Sequence, residues 1–490
     1  MSASTIAGRL AEWVADVKYE NVPRRVIEEL KNQILSVIAS VHAGHFTDAG
    51  RIVSRTVKEW GGKEATLIPS GERTSVHYAI FGNAALSMAL DYDDYLFAGH
   101  TGHSAVLVTL ALAEKIGISG HDFLLAQVVG NEIEGRFGAA TLLGPLNGQM
   151  WSFIHLIGGA VIGAKLLGLD AQQTEGALGI ALLQPPFALH PGFFGSDAKA
   201  LIASMTAPAG VQAAELAANG LRGHAGAIED DHGFLTTFAR EPLLGAFEAL
   251  GKVWLTDSLS YKIYPGCAYI GAIADCVLTL ARQHHMDARK VKAVHVAAGP
   301  PTIGMEALAA PHVKGPDSTP TTLNFTVAYN VAVALIDREL SPRQFTRDRI
   351  KDPAVWDMAA KVHLSPADTY ARRLHDRSPV RTVNEGGQER HTLELQSPEM
   401  AGFRASFGAS VRIEMEDGRT FDMEQEVPYG AAGRPFDERR KAVEDKFRRE
   451  TRYTLRKERM EKAIDVVHHL EDASASHIRE LVRLCCSERG

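Results

Sequence analysis

The stretch NVPRRVIEELKNQILSVIASVHAGH, residues 21–45, decides the fold class of this chain. Its apolar side chains recur at steps of three and four residues, which places them on one face of an α-helix. Pro23 stands near the start of the predicted helix and Gly44 just past its end, as is usual at helix boundaries. The stretch therefore predicts a long helix with one buried face.

Similar patterns continue through the first half of the chain, and many of them are rich in alanine and glycine. Small residues let helix backbones approach closely, so we expect a compact body of many packed helices. The predicted helices cover residues 74–90, 104–115, 121–140, 151–167 and 199–219.

After about residue 257 the pattern changes, because runs of β-branched residues begin to alternate with helical patterns. Glu416-Asp417-Gly418 contains the Asp-Gly pair that is typical of a hairpin turn, and a strand is predicted on each side of it. This part is therefore predicted to be an α+β unit. It has predicted strands at 291–297, 410–415 and 419–426 and predicted helices at 268–283 and 324–337.

The length of 490 residues with 45% hydrophobic content is too great for one hydrophobic core, which favours two structural units. We predict a mainly α protein. Residues 1–257 form the first part of a large helical domain and residues 258–430 form a smaller α/β domain. The charged helices of residues 431–490 are expected to return to the helical domain, although their pattern also permits a tail.

The formal net charge of −7 and the dispersed basic residues argue against nucleic acid or a membrane surface as the main partner. A small-molecule substrate fits better. The four cysteines show neither a disulfide framework nor paired CxxC spacing, which indicates a reducing compartment. Residues 1–7 lack a secretory profile, and the most apolar windows are shorter than the roughly 20 residues that cross a bilayer. We expect a soluble, cytoplasmic protein.

The densest chemical signal is Asp91-Tyr92-Asp93-Asp94-Tyr95, followed by Gly99-His100-Thr101-Gly102-His103-Ser104. Carboxylates and imidazoles at helix ends suit proton transfer, because loops there can hold them at the mouth of a cavity. The structural alternative is that these residues cap helices and that the histidines are exposed.

A magnesium site is a further alternative, since the acidic loop and residues 229–232 (EDDH) could both recruit a cation. However, the spacing matches neither a zinc nor a calcium site, and no glycine-rich phosphate loop accompanies it. We therefore expect no metal.

Three more candidates lie far apart in the sequence. Lys199 opens a helical pattern of small and apolar residues, Lys262 lies near the boundary of the two units, and Tyr329 lies on an apolar helix of the second unit. Ordinary structural explanations also exist. A lone lysine such as Lys199 can extend its charged end to solvent or pair with Asp197, and Tyr329 can simply pack in the core.

These segments, in this order, resemble the MmgE/PrpD family, which includes 2-methylcitrate dehydratase, cis-aconitate decarboxylase and iminodisuccinate epimerase. The resemblance runs through almost the whole chain. Besides the acidic loop it includes Lys199 with Gly210, residues 220–234, Lys262 to Cys267, residues 325–335, residues 411–427 and Lys446-Phe447.

The resemblance implies a large helical domain, a smaller α/β lid, a homodimer, and a site in the cleft between the domains that needs no cofactor. Asp91, Lys199, Lys262 and Tyr329 match active-site positions of the family. The histidine of the family that follows the acidic loop corresponds to His100 or His103, and the spacing does not decide between them.

Further positions match the family's substrate-binding region with changes. Tyr95 stands where many relatives have threonine. Gln149 stands where many members have a histidine, and His155 lies six residues later. Cys267 occupies a position where the decarboxylase has histidine, which makes decarboxylation of cis-aconitate less expected.

The resemblance favours a lyase that removes water from a hydroxylated di- or tricarboxylate after proton abstraction next to a carboxylate. An epimerase or isomerase of a related acid would use the same abstraction. A non-catalytic ligand-binding or scaffold protein that binds carboxylates is a third interpretation, which the changes at Gln149 and Cys267 allow.

Overall fold

A computed structural model of the protein describes residues 5–144, 152–385, 387–395 and 400–487. These residues are mainly helical, with short strands and small sheets, so the predicted mainly α class with a smaller α/β part is confirmed.

The first part of the chain is a body of packed helices. The helix predicted in residues 21–45 is α2, which continues past Gly44 to His45, and further helices lie before and after it in the chain. They are α1 (Ile6–Asp16), α2 (Arg24–His45), α3 (Asp48–Trp60), α4 (Val76–Met88), α5 (Gly102–Ile116), α6 (Gly120–Ala140), α7 (Ser152–Leu166), α8 (Ala171–Ala181), α9 (His190–Gly195), α10 (Ile202–Ala218) and α11 (Phe234–Phe238).

Helices α7 and α10 show why small residues recur in the sequence. A Cβ atom on Gly210 would lie 2.0 Å from the carbonyl oxygen of Leu156, and one on Gly159 would lie 2.1 Å from that of Ala207. The backbones are therefore in contact, as the composition predicts. The predicted helix 199–219 begins later than expected, because residues Asp197–Leu201 form a 3₁₀ turn before α10.

The second part combines helices with a four-stranded sheet. Two-stranded ribbons elsewhere pair β1 with β2, β3 with β4, and β7 with β8. The strands are β1 (Ala65–Leu67), β2 (Glu72–Thr74), β3 (Asp94–Tyr95), β4 (Ser260–Tyr261), β5 (Val291–Ala298), β6 (Val362–Pro366), β7 (Val380–Glu385), β8 (Gln388–Leu393), β9 (Ala409–Met415) and β10 (Thr420–Gln425). The helices are α12 (Gly271–Gln283), α13 (Pro300–Ala309), α14 (Pro320–Leu323), α15 (Val327–Asp337), α16 (Arg347–Ile350), α17 (Pro353–Ala359) and α18 (Asp368–Arg377).

The strand order in the sheet is β10-β9-β5-β6. Strands β5 and β6 are parallel, whereas β9 is antiparallel to both β5 and β10. The hairpin predicted around Glu416-Asp417-Gly418 is confirmed as β9–β10. Gly418 has a φ of +86°, which favours glycine at this turn.

The last helices, α19 (Phe436–Thr451), α20 (Lys457–His468) and α21 (Ala475–Leu484), pack on the first part rather than forming a tail. The guanidinium of Arg439 on α19 donates to the buried carboxylate of Glu29 on α2, with Nη1 2.8 Å from Oε2. The residue limits of the domains stay predictions.

Two large hydrophobic cores meet beside the acidic loop. The helical body and the last helices share one core, which includes Tyr261. Helices α12 and α15 and the four-stranded sheet share the other, which includes Tyr92 and Phe193. The residues that flank Asp91 and Lys262 in the chain therefore lie where the two cores meet.

Within the described ranges, no helix is long and apolar enough to cross a membrane.

Candidate active site

Asp91 follows the end of α4 in an uncommon backbone conformation. Its φ is +49°, in the left-handed region that few residues other than glycine adopt, although aspartate tolerates it better than most. Its amide donates to the carbonyl of Met88, 3.0 Å away, and its side chain is buried. Such conformations persist where the surrounding structure holds them, and they cluster at functional sites.

Two lysines from distant parts of the chain converge on this carboxylate. Lys199 Nζ donates to Asp91 Oδ1 at 2.7 Å, and Lys262 Nζ lies 3.1 Å from Asp91 Oδ2. Only 4% of the Lys199 side chain and 2% of the Lys262 side chain are exposed. The structure therefore brings together three of the predicted residues in a buried charge cluster.

Lys199 lies in the 3₁₀ turn before α10, where its ammonium group is placed against aromatic rings. Nζ is 5.2 Å from the ring centroid of Phe193 and 5.3 Å from that of Phe325. These rings displace water and attract the cation through their faces, so both the Asp91 pair and the aromatic rings hold the ammonium group.

Lys262 is positioned by the short ribbon of β3 and β4. Its backbone amide donates to the carbonyl of Asp93 at 3.1 Å, continuing the pairing of the two strands. Its Nζ then donates to the backbone carbonyl of Asp91 at 2.9 Å and to Asp93 Oδ1 at 3.0 Å. Strand pairing thus aligns Lys262 with the whole acidic loop.

Charge pairing sets the protonation of these groups. Burial raises the pKa of Asp91, but the ammonium groups of Lys199 and Lys262 outweigh burial and hold that pKa well below its ordinary range. Burial lowers the pKa of Lys262, but the carboxylates of Asp91 and Asp93 outweigh it and raise that pKa. Asp91 and Lys262 are therefore ionised at neutral pH.

Asp93 contacts both candidate histidines through Oδ2. His100 Nδ1 and His103 Nε2 each lie 3.0 Å from that oxygen. Burial raises the pKa of Asp93, but His103, Lys262 and His100 outweigh it and hold the pKa well below its usual value. An ionised Asp93 therefore orients the two imidazoles.

The remaining contacts separate the two histidines. His100 Nδ1 also lies 3.0 Å from the carbonyl oxygen of Asp94, so this nitrogen faces two acceptors and carries a proton. Its Nε2 has no hydrogen-bond partner among the residues that the structure describes, and 15% of the side chain is exposed. His103 uses its other nitrogen, with Nδ1 2.7 Å from Ser87 Oγ.

His103 is also more deeply buried than His100. Burial lowers the pKa of His103, and the carboxylate of Asp93 only partly offsets this effect, so the imidazole is neutral at pH 7. Its ring then donates from Nε2 to Asp93 and accepts from Ser87. His100 is therefore the histidine with a nitrogen open to a substrate.

His155 on α7 lies directly behind His103, with ring centroids 5.8 Å apart. Its Nδ1 is 2.9 Å from Ser104 Oγ, which also donates to Glu134 at 2.7 Å. Burial lowers the pKa of His155 and raises that of Glu134 well above its usual value. An imidazole thus lies next to the cluster although the resemblance places Gln149 at the position of the family's histidine. Gln149 itself falls outside the described residues.

Tyr95 and Cys267 border the cluster. The Tyr95 ring centroid is 6.3 Å from that of His100, and burial raises the pKa of its hydroxyl. Burial, and then the negative charge of Asp91, raise the pKa of the Cys267 thiol to about 12, so this thiol is protonated at neutral pH. Both residues can donate, but neither is a base.

Family models of the MmgE/PrpD N-terminal domain and C-terminal domain match residues 8–244 and 264–402. The chain belongs to the MmgE/PrpD family. Among curated proteins it is similar to a cis-aconitate decarboxylase of Aspergillus terreus, with 27% identity over 398 residues, 75% of this chain and 79% of the relative. A human cis-aconitate decarboxylase is 23% identical over 495 aligned residues, covering 96% of this chain and 93% of the relative.

Tyr329 lies apart from the cluster in this MmgE/PrpD protein. Its hydroxyl donates to the backbone carbonyl of Gln344, and its ring packs 5.8 Å from those of Phe345 and Trp356 within the second core. Burial raises the pKa of this hydroxyl. The structure therefore does not bring Tyr329 to Asp91, and its catalytic role stays a prediction.

Lys446 on α19 is a residue of the site that pattern reasoning missed. Its fully buried Nζ donates to Ser36 at 3.0 Å, to Ser40 at 3.2 Å and to the carbonyl of Tyr92, whose ring centroid lies 4.1 Å away. It thereby fixes the backbone between Asp91 and Asp93. Its place in the family resemblance was the only sequence signal. No local pattern connects it with Tyr92, because the two residues lie 354 positions apart in the chain.

The geometry also bears on the magnesium alternative for this family member. Among the described residues, no group of three or more histidine, cysteine or acidic side chains is placed to hold a metal ion. In the acidic cluster of residues 229–232, Glu229 accepts a hydrogen bond from the amide of Ile6, and Asp230 contacts the exposed His224.

The raised pKa of Asp94 makes the stability of the folded protein depend on pH. Burial, and then the negative charge of Asp93, raise its pKa to about 7 from an ordinary 3.8. Between these values the unfolded chain releases a proton that the folded chain keeps, so this contribution to stability is present at low pH and is lost as the pH rises through about 7.

We predict that Asp94→Asn removes this contribution. The difference in unfolding free energy between the variant and the wild type should change by on the order of 4 kcal/mol from about pH 4 to about pH 8, with the wild type losing stability. Denaturant unfolding at a series of pH values measures it. Asp422→Asn, at an exposed carboxylate, is the control. Parallel pH curves for wild type and Asp94→Asn would contradict the assignment.

Proposed function

We propose that this chain is a lyase that acts on a small polycarboxylate and eliminates water from it, as a hydro-lyase of the 2-methylcitrate dehydratase type. The observation that carries the proposal is the convergence of Lys199 and Lys262 on one buried carboxylate at the boundary of two cores. Two ammonium groups in a place shielded from water suit a substrate with more than one carboxylate.

Elimination next to a carboxylate begins with removal of a carbon-bound proton. Negative charge then builds up on the carboxylate oxygens of the substrate, and fixed cations lower the energy of that state most when water is excluded. Lys199 and Lys262 supply these cations, and their ion pairs with Asp91 hold them in place.

His100 suits the role of the base. Its Nδ1–H is held by Asp93 and by the Asp94 carbonyl, so in the neutral ring Nε2 carries the lone pair that takes the proton. The lowered pKa of Asp91 makes that carboxylate a weak base, which assigns it to positioning the lysines. The imidazolium formed at His100 can then protonate the departing hydroxyl.

Decarboxylation is the second candidate, because relatives of this chain are named cis-aconitate decarboxylases. Both reactions build up negative charge that the lysines would stabilise, but decarboxylation breaks a carbon–carbon bond and loses carbon dioxide. The protonated Cys267 thiol, at the position where the resemblance places a histidine of the decarboxylase, favours elimination of water instead. Epimerisation would exchange the carbon-bound proton and keep the hydroxyl.

A substrate panel followed by NMR in deuterated buffer with a chelator separates these reactions. The panel contains citrate-like and malate-like hydroxy acids, aminodicarboxylates and cis-aconitate. We expect loss of hydroxyl from a hydroxy acid, undiminished by the chelator. Carbon dioxide from cis-aconitate alone would favour the second candidate, deuterium uptake alone would favour epimerisation, and loss of activity with the chelator would favour a metal.

The same assay on Lys199→Met and Lys262→Met tests whether the cluster carries the reaction. Turnover should fall about 100-fold or more. This reduction should be far larger than the accompanying decrease in melting temperature can explain. Lys165→Met is the matched control, since this half-buried lysine donates to carbonyls at the end of α1 and should affect stability only. Near-normal turnover in both cluster variants would remove the proposal.

His100→Gln should also lower turnover by about 100-fold or more, because a proton acceptor is lost at a partly exposed position. Its melting temperature should change little. His375→Gln, at a strongly exposed histidine, is the control for the substitution itself. Turnover of His100→Gln close to wild type, measured on the substrate found in the panel, would exclude His100 as the base.

A further inference from the structure

A cavity of about 390 Å³ lies apart from the Asp91 cluster, between the helical body and the α/β part. Its walls are the end of α2, the end of α19 and the segment 341–347. A volume of this size is typical of a small-molecule site. Its lining carries five arginines: Arg51, Arg343, Arg347, Arg449 and Arg452.

The charge of this cavity is opposite to that of the whole chain. Asp48 and Glu450 are the acidic residues of its lining, so five guanidinium groups face two carboxylates, whereas the protein carries a net charge of −7. Asp48 contacts Arg51 and Glu450 contacts Arg449, so the acidic groups are already paired. The excess positive charge therefore lies on the other arginines.

Three arginines of the cavity have no acidic partner in the described part of the chain. Arg343 and Arg452 both lie over the ring of Tyr453, 5.3 Å and 4.8 Å from its centroid, and both donate to its hydroxyl. Arg347 is exposed and makes no side-chain hydrogen bond or ion pair with any described residue. Guanidinium forks of this kind match phosphate and carboxylate oxygens.

Exposed aromatic rings accompany these cations. Phe46 is 46% exposed and Tyr453 is 48% exposed, and their ring centroids lie 6.2 Å apart in an edge-to-face arrangement. Large apolar rings beside guanidinium groups that lack an acidic partner in the described part of the chain favour an organic ligand with several anionic groups over a simple inorganic ion.

The cavity is also connected to the acidic loop. Arg449, in its wall, donates to the carbonyl of Ile263 at 2.9 Å and to the hydroxyl of Tyr92, which in turn donates to Glu450 at 3.1 Å. Ile263 follows Lys262 and Tyr92 lies between Asp91 and Asp93. A ligand that contacts Arg449 therefore acts on the residues that hold the catalytic loop.

We propose that this cavity binds a small organic anion with two or more phosphate or carboxylate groups, and that Arg343, Arg347 and Arg452 bind those groups. Because its walls come from both parts of the chain, the bound anion bridges them. Through Arg449 it also stabilises the conformation of the acidic loop. This inference does not depend on the reaction at Lys199 and Lys262.

Calorimetric titration of the full chain with ATP, inorganic pyrophosphate and citrate tests the site, and citrate is also titrated into Lys199→Met so that binding at the Asp91 cluster is distinguished from binding in the cavity. We expect at least one probe to bind, and the probe that binds best shows whether phosphate or carboxylate is preferred. The combined variant Arg343→Ala, Arg347→Ala and Arg452→Ala should weaken binding at least about tenfold. Arg222→Ala, at an exposed arginine outside the cavity, should bind like the wild type.

Thr346→Glu provides a second variant, because it adds a carboxylate to the exposed rim of the cavity and removes no arginine. It should also weaken binding. Hydrogen exchange of peptides that cover residues 91–95 should slow when the probe is bound. Failure of the wild type to bind any probe, or equal binding by the wild type and the arginine variant, would overturn the site. Unchanged exchange would overturn the link to the acidic loop.

Discussion

The carboxylate of Asp91 lies between the ammonium groups of Lys199 and Lys262, and all three charges are buried. Removing charges from water is costly unless they are paired and hydrogen-bonded, so the surrounding structure has to supply every partner. Asp93 and the Asp91 carbonyl accept hydrogen bonds from Lys262, and the two flanking phenylalanine rings face the ammonium group of Lys199. Strand pairing at β3–β4 and the buried Lys446 then fix the loop that carries both carboxylates.

This arrangement explains why the site lies at the boundary of two cores. Each core is apolar and closely packed beside the polar residues of the loop, and neither core alone surrounds the charges. Tyr92 belongs to one core and Tyr261 to the other, so the residues next to Asp91 and Lys262 are fixed by packing. A polycarboxylate that enters this place would find cations already positioned, without the energetic cost of ordering them at the moment of reaction.

Local features of the sequence predicted the long helix α2 and the β9–β10 hairpin, because helical spacing and an Asp-Gly turn depend on residues close in the chain. The family resemblance identified Asp91, Lys199 and Lys262, but their contacts join residues 108 and 171 positions apart, which no local pattern can predict. Lys446 and the shared role of Asp93 were missed for the same reason. The choice between His100 and His103 depended on which ring nitrogen has a partner, and the folded structure alone determines that.

The most direct test of the central claim is a crystal structure of the protein with tricarballylate, a tricarboxylate that has no hydroxyl group to lose. The account predicts a ligand carboxylate within about 3 Å of the Nζ atoms of both Lys199 and Lys262, with a ligand carbon facing Nε2 of His100. A ligand bound elsewhere, with Asp91 and both lysines paired only with each other, would contradict it.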